Sequence, residues 1–353
     1  MSICLNMIVR NEEKVLSRCL ESIKHLIQEW VIVDTGSTDF TKELIIKQLG
    51  HVPGTLYERD WVDFGHNRNE ALQLAKQRAD YLMLIDADDY ISFDPTFSMP
   101  PLTKDIYILI QKDQVGGVES RCPFLLKSSL PWRWEGVIHE GLVCSEARSA
   151  ELLQGAVNIY GADGYRSQGS EKLLEYIEIL TKEHSKYPED TKTVFYLAES
   201  YRGSEQYPEA IVAYEKRIAL GGFPEEIFWS FYCIAKMKDV LGFDVQIVLN
   251  DYIKAHSYRP SRMEPIYDLI ILYRKNKLLQ QAYQLSKLAH KTAVPSDVMF
   301  VSRWIYEWGI LWQYALCCFD LQLKEEYLQC KRLILSIPSF PEQLKKEMIG
   351  YYE

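Results

Sequence analysis

The chain has 353 residues, of which 47% are apolar, and a formal net charge of −9, so it exceeds one ordinary core and is expected to fold as two globular domains. The acidic balance argues against a general nucleic-acid binder and gives no drive toward an anionic membrane. Eight cysteines are scattered with no C-x-x-C pair, which disfavours a zinc site and fits buried thiols of a reducing compartment. Met1 to Val9 is apolar but too short for a signal peptide, and no apolar run approaches bilayer length. A cytoplasmic protein without a transmembrane segment is the expectation.

Ser2 to Val9 reads as the first strand, and Val15 to Ile27 follows with helical periodicity. Trp30 to Val33 is the second strand, and Thr41 to Leu49 the second helix. Two strand-to-helix units predict a mostly parallel sheet with right-handed crossovers. Thr55 to Glu58 is a short third strand. Gly65 to Glu70 leads into a helix over Ala71 to Arg78. Tyr81 to Ile85 is an apolar run suited to a strand buried on both faces. Beyond it, Ile106 to Ile110 and Glu119 to Leu126 read as antiparallel strands around a Gly116-Gly117 turn. Leu152 to Tyr160 is the last strand candidate, and Gly161 to Gly164 ends the domain.

The chemistry gathers where these strands end, which is where open α/β sheets bind ligands. Asp86, Asp88 and Asp89 follow the Tyr81 run directly. Asp86 and Asp88 are two apart, which strand periodicity places on one side. Hard oxygen ligands so placed suit Mg²⁺ or Mn²⁺, especially with a substrate phosphate; the plainer alternative is an acidic turn. Asp34, at the second strand end, can accept from a sugar hydroxyl or a base N–H, or form an Asx-turn that only ties the loop. Gly36 supplies a conformation closed to other residues. Ser37 or Thr38 can cap the next helix, with Asp39 in its first turn. Arg68 can point a cation at a diphosphate or pair with Glu70 or Asp63. His66 reads as a loop residue.

Further along, Trp132 and Trp134 share one face of an extended segment, to stack on a sugar or cover the sheet edge. His139 and Glu140 follow. Either can act as a base, His139 by its ordinary pKa and Glu140 if shielding by the tryptophans raises its own; the plainer alternative is a loop carboxylate and a capping histidine.

From Ser170 onward the chain is helical, with prolines at helix boundaries. Leu197, Ala198, Tyr201, Ala210 and Tyr214 fit tetratricopeptide spacing, and Tyr273 with Ala282 repeats part of it. The intervening Trp229 to Tyr252 matches poorly, and a further helical pair is expected over Phe300 to Leu335. Such stacks form a continuous core through neighbours and usually hold a partner.

The order of Ile8-Val-Arg-Asn-Glu12, Val33-Asp-Thr-Gly-Ser-Thr-Asp39, Arg68-Asn-Glu70 and Ile85-Asp-Ala-Asp-Asp89 resembles an inverting family 2 glycosyltransferase of the GT-A fold. Trp134-x-Gly136-x-x-His139-Glu140, Phe195 to Glu199 and Ile218 to Glu226 extend the resemblance to the branch in which that domain is fused to tetratricopeptide-like helices. The resemblance implies an α/β GT-A domain over 1–165 and an all-α domain over 166–353. It implies nucleotide contacts at Val9, Asn11, Asp34, Arg68, Asp86 and Ala87, and a divalent metal at Asp86 and Asp88. Glu140 becomes the base. The histidine that many GT-A enzymes add as a metal ligand near the domain end has no counterpart in Gly161 to Gly164, leaving His139 or water for that place.

The favoured function is transfer of a sugar from a UDP-sugar, with Mn²⁺ or Mg²⁺, to a hydroxyl on a protein or glycan held by the helices. The alternatives are a nucleotidyltransferase and an inactive repeat-based binding protein.

Overall fold

The computed structural model describes residues 1–113, 119–138, 140–161 and 171–349. The Gly116-Gly117 turn, His139 and Ala162 to Gly164 lie outside the described residues. Contacts divide the chain into two compact units, Met1–Pro188 and Glu189–Glu353. Among the described residues no helix is long and apolar enough to cross a membrane.

The first unit is built on an eight-stranded sheet of order β3-β2-β1-β4-β7-β6-β10-β5. Its parallel half comprises β1 (Ile3–Val9), β2 (Glu29–Asp34), β3 (Gly54–Glu58) and β4 (Tyr81–Leu84). The period-two alternation of these strands sorts their side chains to two covered faces. Ile3, Leu5, Met7, Trp30, Ile32, Tyr81 and Met83 meet α1 (Leu16–Ile23) and α2 (Thr41–Leu49). On the opposite face Cys4, Val31, Leu82 and Leu84 meet Leu72 and Ala75 of α3 (Phe64–Ala75). Helix α1 buries Leu16, Cys19, Leu20 and Ile23, one stripe at helical spacing.

The remaining strands make the sheet mixed. β7 (Glu119–Lys127) runs antiparallel to β6 (Ile106–Asp113), as expected, and also to β4, a pairing the sequence did not indicate. β10 (Ala150–Tyr160) is parallel to β6 and carries the edge strand β5 (Tyr90–Phe93) on its other side. Strand β5 has only four residues and starts inside the acidic turn, so no separate apolar run announces it. A small hairpin of β8 (Arg133–Glu135) and β9 (Gly141–Val143) stands apart from the large sheet. Helix α4 (Glu171–Lys186) completes the unit.

In the second unit, helices pack on their neighbours in chain order, as repeat arrays do. They are α5 (Thr191–Gly203), α6 (Tyr207–Leu220), α7 (Pro224–Val240), α8 (Val245–Tyr258), α9 (Glu264–Lys275), α10 (Leu279–Ala289), α11 (Ile310–Asp320), α12 (Lys324–Leu335) and α13 (Glu342–Ile349). Ala198 and Ala210 are fully buried with Tyr214, as the tetratricopeptide spacing requires. The weakly matching stretch from Trp229 to Tyr252 lies in a helix pair too, α7 and α8, whose buried small residues include Ala235 and Ala255.

The connection after α10 departs from a plain repeat. Glu225 accepts from the Val298 and Met299 N–H groups, while Arg262 donates to the Met299 and Phe300 carbonyls. A π-helical turn at Ile305–Gly309 then enters α11.

Candidate active site

The carboxyl ends of β1, β2 and β4 share one edge of the sheet. After β2 the chain must turn sharply, and Gly36 does so with φ 102°; a Cβ there would meet nothing within 4 Å, so its backbone conformation is the constraint. Asp34, only 1% exposed, accepts from the Gly36 and Ser37 N–H groups through Oδ1 at 3.0 and 2.9 Å. Its Oδ2 is buried and has no hydrogen-bond partner. One oxygen therefore closes an Asx-turn, and the other is buried without a protein donor.

The loop after β1 is buttoned onto this turn. Asn11, with φ 56°, accepts from Thr38 N at 2.7 Å and donates its own N–H to Ser37 Oγ at 2.9 Å. Thr35 N and Oγ1 donate to the Val9 carbonyl. Ser37 and Thr38 are thus committed to Asn11 instead of capping α2. The N-cap of α2 is Phe40, without a side-chain cap, and Asp39 just before it accepts from Thr41 N and Oγ1. Burial opposes its charge, but the Thr41 hydroxyl and the surrounding N–H groups hold the carboxyl below its usual range. The Val9 side chain is in the core.

The acidic residues sit in a turn beyond β4, not on the strand, with Asp89 N donating to the Asp86 carbonyl at 3.1 Å. Strand periodicity therefore does not place them. The turn exposes Asp86, half-buries Asp88 and buries Asp89, while the Ala87 side chain joins the core. Asp89 accepts from Asn158 Nδ2 at 2.6 Å and from Gly161 N at 3.0 Å. Burial, then repulsion from Asp86, pushes its carboxyl up to about 7. Helix α1 supports the turn from beneath: Arg18 donates to the Asp88 carbonyl at 2.7 Å and Cys19 Sγ to the Asp86 carbonyl at 3.5 Å. Burial drives the Cys19 thiol well above its ordinary pKa, so it stays a neutral donor.

Helix α3 begins earlier than periodicity predicts because Asp63 caps it, accepting from His66 N at 2.7 Å. Arg68 and Asn69 consequently lie on the helix. Arg68 pairs with neither Glu70 nor Asp63. It reaches Asp86 Oδ1 at 2.6 Å and Glu140 Oε1 at 2.5 Å, and its guanidinium lies 5.0 Å from the Trp134 ring centre. Burial works against its charge, but Asp86 and Glu140 outweigh that and hold it above the ordinary arginine value. Glu70 pairs with Arg59 instead. Trp132 is buried against the sheet with Nε1 donating to the Lys127 carbonyl, whereas Trp134 backs Arg68.

The structure thus brings Asp86, Arg68 and Glu140 into one chain of contacts, and sets Asp34 and Asn11 in the neighbouring loops of the same edge. The sequence assigns no site role to Arg18, Cys19, Asn69 or Asn158. Asn69 stands within the Arg68-Asn-Glu70 motif, and Cys19 shows only as an apolar position of the first helix. Among the described residues no group of three His, Cys, Asp or Glu side chains is placed to hold a metal ion. Asp86 and Asp88 supply hard oxygen donors that fit Mg²⁺ or Mn²⁺ only in company with further ligands.

Residues 4–98 match the model of glycosyl transferase family 2. A TPR repeat-containing protein of Synechococcus elongatus is 31% identical over 145 residues, covering 39% of this chain and 34% of that protein. The SPbeta prophage-derived glycosyltransferase SunS of Bacillus subtilis is 33% identical over 91 residues, 26% of this chain and 21% of its own. The chain therefore spans about a third or less of these curated relatives. Among solved structures, S. aureus TarS 1–349 in complex with UDP-GlcNAc shares 14% identity, covering 72% of this chain and 89% of its own at a TM-score of 0.36. A crystal structure of MamA reaches 0.38 with 14% identity, over 54% of this chain and 99% of its own. Likenesses of that size do not establish a common fold. The first unit thus carries the glycosyl transferase family 2 match over residues 4–98, and the helices beyond Pro188 follow one another in the order of a repeat array.

Proposed function

We propose that the chain is a glycosyltransferase that moves a sugar from a UDP-sugar to an acceptor hydroxyl, with inversion at the anomeric carbon. The observation that carries this reading is the buried, unpartnered Oδ2 of Asp34 at the carboxyl edge of the parallel strands. A carboxylate oxygen fixed by its partner oxygen and lacking a donor is complementary to the imide N–H of uracil. A base without that N–H would leave the oxygen desolvated and unpaired, which is the strong form of discrimination.

Asp86 and Asp88, together with donor phosphate oxygens and either His139 or water, are the residues that would hold Mn²⁺ or Mg²⁺. Bound there, the cation would offset negative charge on the leaving diphosphate. Arg68 fixes the geometry between the two halves of the site, since one guanidinium holds both Asp86 and Glu140. Glu140 is assigned as the base. It accepts the acceptor O–H proton as that oxygen bonds the anomeric carbon and the bond to the phosphate oxygen breaks, releasing UDP. His139 is the competing base, and the helical unit is assigned to holding the acceptor, a protein or glycan.

The test is a panel of nucleotide sugars read as nucleoside diphosphate release, with and without Mn²⁺. UDP release from one donor supports the reading. Release of pyrophosphate would identify a nucleotidyltransferase, and no release from any donor would leave a binding protein.

A further inference from the structure

We propose that Asn69 is a positioning residue for the base, acting through the backbone of Trp134; this rests on the assignment of Glu140 above. Because Asp63 starts α3 at Phe64, Gly65, Arg68 and Asn69 fall three and four residues apart on one helix face. That face meets the β8–β9 hairpin at three points. Asn69 Oδ1 accepts from Trp134 N at 2.8 Å, and Asn69 Nδ2 donates to the Trp134 carbonyl at 2.9 Å. Arg68 binds Glu140 and lies over the Trp134 ring. A Cβ on Gly65 would stand 2.6 Å from the Gly136 carbonyl, so helix and hairpin turn touch backbone to backbone.

The two Asn69 hydrogen bonds reproduce both bonds of a strand neighbour from a single side chain. Strand β8 has three residues and pairs only with β9: Arg133 opposite Val143, Trp134 opposite Leu142 and Glu135 opposite Gly141. A two-stranded hairpin is marginal by itself. In an extended strand the N–H and C=O of one residue point the same way, so Trp134 turns its pair toward α3 and leaves β9 to its neighbours. Asn69 therefore closes the open edge of the hairpin. Glu140 immediately precedes Gly141, the residue paired with Glu135, so the depth at which the hairpin is pinned sets where the carboxylate stands. A side chain here must present one acceptor and one donor at amide spacing. Aspartate keeps the acceptor and places a second oxygen against the Trp134 carbonyl. Alanine releases both groups.

The experiment measures single-turnover sugar transfer and UDP affinity on the full chain for Asn69→Ala, Asn69→Asp, Glu140→Gln and the two double variants. Asn69→Ala is expected to lower the transfer rate roughly 10- to 100-fold, up to the loss that a 1 Å misplacement causes and less than loss of the base itself. UDP affinity is expected to stay within about twofold, and the Asn69 effect to vanish in the Glu140→Gln background, because the two act on one step. Asn69→Asp keeps the Trp134 N–H bond, and so tests the same point if the alanine variant does not fold. Equal losses with and without Glu140, or a parallel fall in UDP affinity, would overturn the positioning role. Slow Glu140→Gln beside full-rate Asn69 variants would overturn it alone, whereas full-rate Glu140→Gln would remove the base assignment and this proposal together.

Discussion

Asp34→Asn isolates the donor-recognition argument, because it exchanges one atom and keeps the fold. The amide oxygen can take over the role of Oδ1, which accepts from Gly36 and Ser37, so the turn persists. The NH₂ group then occupies the position of Oδ2, which is buried and unpartnered. Toward uracil this replaces a charged acceptor by a donor facing another donor. A hydrogen bond to a charged group is worth about 1.5–3 kcal/mol, so UDP affinity is expected to fall roughly ten- to a hundredfold. Toward cytosine, whose ring nitrogen accepts, the same change is favourable, and CDP is expected to gain relative to UDP. Isothermal titration of UDP and CDP, each with Mn²⁺, measures both shifts, and a melting curve confirms that the turn is intact. Unchanged UDP affinity with an unchanged CDP/UDP ratio would refute the placement of the base against Asp34.

Four further outcomes are expected. Arg68→Met strands two carboxylates, one of them in the 7% exposed Glu140 side chain; removing one partner of a buried pair costs about 3–5 kcal/mol, reduced by the partial exposure of Asp86, and should appear as a lower melting temperature with lost transfer. Asp88→Asn should retain the fold and lose Mn²⁺-dependent UDP binding; calorimetry with equal affinity for both proteins would count against the metal assignment. A chain ending at Pro188 should bind UDP and hydrolyse donor while transferring poorly to acceptor, and full transfer would remove the acceptor role from the helices. Asp89 binds its proton more tightly folded than unfolded, since burial and Asp86 raise it to about 7; its stabilising contribution is present at low pH and is lost as pH rises toward and through 7. In EDTA, Asp89→Asn should therefore raise the melting temperature more at pH 8 than at pH 5, and equal shifts would contradict the buried-acid account.

The parallel half of the fold was legible because its strands are buried on both faces and its helices carry one apolar stripe each. Residues such as Met7, Ile32 and Leu20 obey periods that sequence displays directly. Asp34 was legible as a position but not as a dual acceptor, since only coordinates show that one oxygen is engaged and the other is not. Arg68 departs from its plainer alternative, an ion pair with Glu70 or Asp63, for a nonlocal reason. Its sequence neighbours Glu70 and Asp63 are taken by Arg59 and by the helix cap, and its own partners lie eighteen and seventy-two residues away. The hairpin at Arg133–Val143 has strands of three residues, too short for a periodic signal, and is held by Asn69 across sixty-five positions. In the helices, Trp229 to Tyr252 lacks the tetratricopeptide pattern yet packs as a pair, because burial of small residues is required by the array while their spacing is only customary.

The three aspartates after β4 differ in burden, and the difference follows from the turn. Asp89 is enclosed and ties the turn to Asn158 and Gly161, so its carboxylate is already spent on holding β10 against the site. Its raised pKa follows from that enclosure first, and then from the like charges of Asp86 and Asp88. Asp86 is half exposed, with Arg68 on one oxygen. Arg18 and Cys19 fix the carbonyls of the turn. Such fixing holds the backbone that carries the Asp86 and Asp88 side chains. If that division is correct, Asp89→Asn preserves donor binding at pH 7 while Asp88→Asn removes it. Loss of UDP affinity in both would mean that all three carboxylates serve the ligand and that the turn has no separate anchor.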